Sequence, residues 1–181
     1  WVSLGAIAES SRLEAKIAED PTNPKLRIQR AEELGRTKGQ ERLVVETLNP
    51  VADELKVESL LQLATAYRTL KEFKDEVRIL HKALDQAPNS HELHFKMGRA
   101  ELNAETPVAA VTSFRKAISL RKDHRDSYEA LLSIFAKSGE NYESRNVLKD
   151  MLKQFGKQPA FFSHLCRLDS LDGYLDAAIE N

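Results

Sequence analysis

The chain has 181 residues, 41% hydrophobic and 30% charged, with 7 Gly and 6 Pro, values that fit one helical domain or one short array. Lys and Arg number 27 against 28 Asp and Glu, so no global field draws the chain to nucleic acid or to an anionic membrane. One cysteine excludes an internal disulfide framework and a paired-cysteine metal knuckle, and no apolar run approaches the roughly 20 residues that span a bilayer.

In chain order, residues 1–23 open with Trp1-Val2-Ser3-Leu4-Gly5 and close on Asp20-Pro21. The stretch is predicted to be one long or broken helix that covers the end of the first hairpin, packing on it through Trp1 and Leu4. Ser11-Arg12-Leu13-Glu14 reads as a capping box that starts a helix. VSLGAIA is too short and has no basic flank, so it is not an intact signal peptide. Residues 24–56 read as a divergent hairpin. Leu26, Ala31 and Leu34 line one helix, and Val44, Leu48, Val51 and Leu55 a second, with a kink at Pro50.

From residue 57 a period of 34 takes hold. Leu63, Met97, Leu131 and Leu165 stand in register, as do Ala64, Gly98, Leu132 and Cys166, and Leu60, His94, Tyr128 and Phe162. Later columns are Leu80, Phe114 and Leu148; Ala83, Ala117 and Met151; and Leu84, Ile118 and Leu152. In each unit the spacing is helical: Leu60, Leu63, Ala64 and Tyr67 share one face, and Val77, Leu80, Leu84 and Ala87 share another. Leu70-Lys71-Glu72 is the turn between them. Pro88 ends the second helix, and Ser90 is the N-cap of the next. The small column lets two helices approach closely, with Cys166 as a packed core thiol in it. Units of this kind bury their apolar stripe only by stacking.

The stretch KALDQAPNS, Lys82 to Ser90, and the run Leu60-x2-Leu63-Ala64-x2-Tyr67 resemble the tetratricopeptide repeat family. Residues 57–90, 91–124 and 125–158 resemble full units, and 159–181 a partial one carrying Leu165, Asp172-Gly173-Tyr174 and Ala178. Trp1-x2-Leu4-Gly5 also resembles the opening of the motif but is out of register, with Ala8 where the aromatic belongs. Departures are Glu76 in place of the usual Ala, which loosens one hairpin or marks a polar contact. His94 and Glu101 replace large apolar or aromatic residues, and Lys122 and Gly156 replace the terminating Pro. Pro107 fits the first helical position after Thr106 as cap.

The resemblance implies an all-α, right-handed solenoid of about four repeats plus an N-terminal helix. It also implies a non-catalytic interaction scaffold whose first helices line a concave groove for a partner's peptide or helix. The groove positions are Leu61, Gln62, Thr65 and Arg68; Phe95, Lys96, Arg99 and Asn103; Glu129, Ser133 and Lys137; and His164 and Arg167. Their excess of Arg and Lys suits an acidic or C-terminal segment, with the arginines as bidentate partners and Phe95 as an apolar anchor. The plainer alternative is a set of solvated helix faces, since charge is abundant throughout. The Lys and Asn clamp of chaperone-tail binders is not matched, because Leu61, Thr65, Phe95 and Arg99 stand there.

The sequence calls for no cofactor and no metal. His91 and His94 share a spacing suited to a metal but have no third ligand nearby. His164 and Cys166 face different ways. Phosphate-binding glycine loops and a nucleophile elbow are absent, and base-reading polar pairs for RNA are not regular. The end at Ala178-Ile179-Glu180-Asn181, part-way through a hairpin, makes self-association or continuation in a longer parent the competing structural expectation. A cytoplasmic setting is expected from the single cysteine.

Overall fold

The computed structural model describes residues 4–156, 158–161 and 163–168, with side chains from Ser11 onward. Trp1, the side chain of Leu4, Phe162, Asp172, Gly173, Tyr174 and Ala178 lie outside the described residues. The order is α1 (Leu4–Glu19), α2 (Pro24–Gly35), α3 (Glu41–Leu48) and a 3-10 turn (Asn49–Glu54). There follow α4 (Val57–Thr69), α5 (Phe73–Gln86), α6 (His91–Asn103), α7 (Pro107–Leu120), α8 (Arg125–Ser138) and α9 (Asn141–Phe155). Residues 159–161 and 163–168 are again helical, and no strand occurs among the described residues. Each helix from α1 to α9 packs on its chain neighbours, which is the solenoid arrangement that the 34-residue period predicts.

Two kinds of turn repeat along the chain. Inside the hairpins, Gly39, Lys71, Glu105 and Gly139 have left-handed φ values of 88°, 60°, 62° and 74°. Each stands two residues before the second helix of its hairpin. In three of these turns the first helix closes with the same long-range cap. The backbone N–H groups of Glu72, Thr106 and Glu140 donate to the carbonyls of Tyr67, Glu101 and Phe135, each at 2.9 Å. This Schellman closure requires the left-handed residue, which glycine supplies without a Cβ clash and Lys71 and Glu105 do not. Between hairpins, Ser90 Oγ accepts from the Leu93 N–H at 3.3 Å, the N-cap that the sequence predicts. Pro107 begins α7, but the Thr106 hydroxyl turns back and donates to the Glu101 carbonyl at 2.9 Å rather than capping the helix.

The columns of the period are the core. Leu63, Met97 and Leu131 are buried, as are Leu80, Phe114 and Leu148, and Ala83, Ala117 and Met151. A Cβ on Gly98 would lie 2.7 Å from the Phe114 ring, so the largest residue of one column requires the smallest of the other. One unit further on, the same later column places Leu148 in the buried core, with Leu132 partly buried against it. The apolar core runs in two stretches, from Ala31 to Ala100 and from Ala110 to Leu168. They meet in the α6–α7 hairpin. There Glu101, in the aromatic's place, is buried and accepts a 2.6 Å hydrogen bond from Ser113 Oγ.

Four details differ from the sequence reading. Ser11 to Glu14 lies inside α1 rather than at a helix start, because the preceding Ala6-Ile7-Ala8-Glu9 is itself good helix material. Half-buried Leu13 and Ile17 and the Arg30–Glu14 ion pair mark its side toward α2. Pro50 breaks the second helix of the divergent unit outright. α3 stops at Leu48, and Val51 leaves helical geometry at φ −115°, ψ 18°. Val51 and Leu55 are still buried, Val51 on a tighter turn and Leu55 on extended backbone just after it, rather than on the helix. Cys166 is exposed, not packed. In the α6–α7 hairpin the same column is covered by the second helix, where the Phe114 ring lies over Gly98.

Lys71→Gly and Glu105→Gly are expected to raise stability by up to about 1 kcal/mol each, and Gly139→Ala to lower it by about as much, in urea denaturation. Gly98→Ala is expected to cost about 1–3 kcal/mol through the collision with Phe114.

Candidate functional site

The first helices of the hairpins are α2, α4, α6 and α8, and the groove positions named from Leu61 to Lys137 lie on α4, α6 and α8. Between the end of α2, the α2–α3 turn and α4 lies a cavity of about 630 Å³. Its apolar wall is Leu34, Val44, Leu61 and Ala66, with Thr65 and Thr69 beside them and Arg36, Lys38, Glu32 and Glu41 among its polar residues. Gln62 joins the two helices, its Nε2 donating to the Ala31 carbonyl at 2.7 Å. A Cβ on Gly35 would come within 2.9 Å of that nitrogen, so the glycine permits the close approach. The volume lies within the range of cavities that hold small ligands or side chains.

One turn further along α4 the chemistry changes. Arg68 Nη1 stands 3.9 Å from Oε1 of Glu76, which reaches in from α5. Glu76 is only 2% exposed, and its Oε2 has no hydrogen-bond partner. Burial pushes its carboxyl above the ordinary value of 4.5, while Arg68, Arg99 and Lys96 pull in the opposite direction. The same column holds Ala110 and Ser144, both buried. Arg99 is exposed, and its guanidinium lies 6.0 Å from the centre of the Phe95 ring. Phe95 is half-buried, 5.7 Å from the Phe114 ring and 4.9 Å from that of His124. It is therefore partly a packing residue between units rather than a wholly available anchor.

The structure thus places Arg68 beside the Glu76 carboxyl, with Lys96 and Arg99 of α6 close enough to act on it electrostatically, and sets Leu61, Gln62 and Thr65 into the neighbouring cavity. Asn103 sits apart, in a hollow of about 400 Å³ beside Lys71, Glu72 and Phe73 at the α4–α5 turn. Lys137 and Arg167 are exposed further along the chain and border neither hollow. Glu129 is paired with Arg125 at 3.0 Å, Ser133 is exposed and His164 is half-buried. His91 and His94 do not converge. His91 Nε2 is 3.3 Å from Arg121 Nη1 and its ring abuts His124, whereas His94 Nε2 is 2.9 Å from the Pro88 carbonyl. Burial and the neighbouring His91 hold His124 below the ordinary histidine range. Among the described residues no group of three or more His, Cys, Asp or Glu could hold a metal ion.

Gly35, Arg36 and Gln40, which border the cavity, escape sequence reasoning because the divergent unit is out of register with the 34-residue ruler. Glu76 is visible as a departure in its column, but not as a buried carboxyl beside Arg68 of the preceding helix.

Glu76 also fixes a pH dependence. Below about pH 4.5 its carboxyl is neutral in both the folded and the unfolded chain. As pH rises through that value the unfolded chain releases the proton while the folded chain keeps it, so stability falls until the folded carboxyl ionises too, and stays lower above. Urea midpoints measured from pH 4 to 8 are expected to show the native protein losing stability relative to Glu76→Gln across that rise. A difference that does not change with pH would contradict the burial argument.

A family model described as tetratricopeptide repeat matches residues 57–100. No curated protein matches the chain. Among solved structures, a crystal structure of MamA is similar at 15% identity and a TM-score of 0.68, over 85% of this chain and 95% of that one. MamA residues 41 to the end, from Desulfovibrio magneticus RS-1, give 13% and 0.64 over 83% and 84%. A tetratricopeptide repeat protein from Parabacteroides merdae gives 14% and 0.64 over 97% and 70%. At these identities the likeness is one of fold, and it agrees with the helix hairpins and the period described above. The chain folds as an α-solenoid of helix hairpins similar to these tetratricopeptide repeat structures, and its residues 57–100 match the tetratricopeptide repeat model.

Proposed function

We propose that the chain is a non-catalytic interaction scaffold that holds a partner's extended segment across α2, α4 and α6. An acidic side chain lies over Arg68, Lys96 and Arg99, and an apolar one enters the cavity beside Leu61 and Thr65. The observation that carries this reading is partly exposed Arg68 and exposed Arg99 on neighbouring units, next to a cavity with an apolar wall. Exposed Arg99 presents a guanidinium whose fork matches a carboxylate, and a desolvated pairing of this kind gives orientation as well as affinity. Exposed Lys137 and Arg167 extend the positive face for a longer segment.

Tetratricopeptide solenoids act in general as protein-interaction scaffolds, and no helix among the described residues is long and apolar enough to cross a membrane. The single exposed cysteine suits a reducing compartment such as the cytoplasm.

The test is calorimetric titration with a capped hexapeptide holding one leucine and three aspartates, against the same peptide with lysines. The acidic peptide is expected to bind, more weakly as salt rises. Arg99→Glu is expected to weaken it by about tenfold or more, a charge reversal at close range. Equal binding of the two peptides, or full binding to a folded Arg99→Glu variant, would sink the acidic reading.

A further inference from the structure

Arg68 of the groove stands 3.9 Å from a buried carboxyl group, that of Glu76, and this arrangement bears on what the groove accepts. Glu76 approaches them from α5, packed between α4 and α6 in a column that elsewhere holds Ala110 and Ser144. Its Oε1 reaches Arg68 only at 3.9 Å, longer than a hydrogen bond, and its Oε2 has no partner. A carboxylate placed only to neutralise the three cations would be expected to make close, bidentate contact with one of them. This one keeps its distance and leaves the guanidinium of Arg68 partly available, at 31% side-chain exposure.

We propose that Glu76 is the specificity-determining residue of the groove, a built-in negative charge with which any anionic ligand side chain on Arg68, Lys96 and Arg99 must compete. This deepens the acidic-segment reading and rests on it. The charged groups that act on Glu76 are Arg68 from α4 and Lys96 and Arg99 from α6, the two helices that flank α5. With Glu76 ionised, a docked carboxylate shares these three cations with a carboxylate already present. With Glu76 protonated, the cations are free for the ligand, and nothing repels it from below. Arrival of the anion therefore favours the neutral carboxyl, and binding takes up a proton at Glu76. The sign follows by linkage. The affinity for an acidic ligand falls as pH rises through the Glu76 transition, which lies above 4.5. The ligand's own aspartates ionise near 3.9, so above about pH 5.5 they stay charged and do not blur the effect.

The arrangement also explains the choice of residue. Alanine here, as at Ala110, would leave an unmodulated cationic patch that binds polyanions of any kind. The buried carboxylate instead raises the requirement, so weakly anionic segments are turned away while a dense acidic cluster still gains enough to displace it. Selectivity of this type comes from a repulsive element as much as from an attractive one.

The experiment is calorimetric titration of the same acidic hexapeptide into the native chain, Glu76→Gln and Glu76→Ala. It runs at pH 5.5, 6.5 and 7.5, in two buffers of different ionisation enthalpy so that proton uptake is counted directly. Thermal melts check that each variant is folded. Gln keeps the side chain's shape, and Ala is the residue already accommodated at position 110. Both variants are expected to bind about tenfold tighter than the native chain at pH 7.5, the order expected for one unit charge removed within a Debye length. Proton uptake and the pH dependence of affinity are expected to disappear with the carboxylate. If the native chain binds and the folded variants bind equally or more weakly, Glu76 only positions the arginines and the proposal fails while the acidic groove stands. If neither the native chain nor the variants bind the acidic peptide, the groove reading itself fails and takes the proposal with it.

Discussion

The two helices of a hairpin cross at a place with almost no room, and the side chains placed there govern the rest of the structure. In the α6–α7 hairpin the crossing holds Gly98 and Ala110, and the Phe114 ring fills the space that a Cβ on Gly98 would need. In the α4–α5 hairpin the same crossing holds Ala64 and Glu76. The glutamate stays buried there, and its carboxyl lies 3.9 Å from Arg68 and within the field of Lys96 and Arg99. A packing constraint thereby creates an electrostatic feature on the face of the first helices.

That feature matters because its components differ in how freely they respond. Arg99 is exposed and touches the Phe95 ring, so it can be recruited by a ligand. Glu76 is held by the packing around it and answers chiefly by taking or losing a proton. A ligand that engages the cations therefore acts on the carboxyl as well, and binding, protonation and stability are linked through one residue. The buried Glu101–Ser113 pair one unit later shows the contrast. There the carboxylate has a close donor at 2.6 Å, lies within its own hairpin, and marks the place where the two stretches of apolar core meet.

Most of the fold was legible in the sequence because its contacts are local and periodic. The columns of Leu63, Leu80 and Ala83 repeat every 34 residues, and helical spacing within a unit assigns each column to a face. What escaped was the part that period does not encode. The left-handed position is occupied by Gly39 and Gly139 but also by Lys71 and Glu105, and at those two residues identity gives no hint of the backbone. Pro50 announced a disturbance without saying that α3 would end before it. The capping pattern at Ser11 was real as a pattern and irrelevant, because helix-forming residues already precede it. The candidate site was legible as a set of cations on one face. Its grouping was not, since Arg68 stands beside a buried carboxyl of another helix while Asn103 borders a different hollow.

The most direct measurement is a carboxyl-carbon NMR titration of Glu76 in the intact chain, with and without an acidic peptide present. The account predicts a transition above the ordinary value of 4.5 in the free chain, moved higher still when the peptide is bound. A Glu76 carboxyl that titrates at its ordinary value and ignores the peptide would contradict both the burial of the charge and its coupling to the groove.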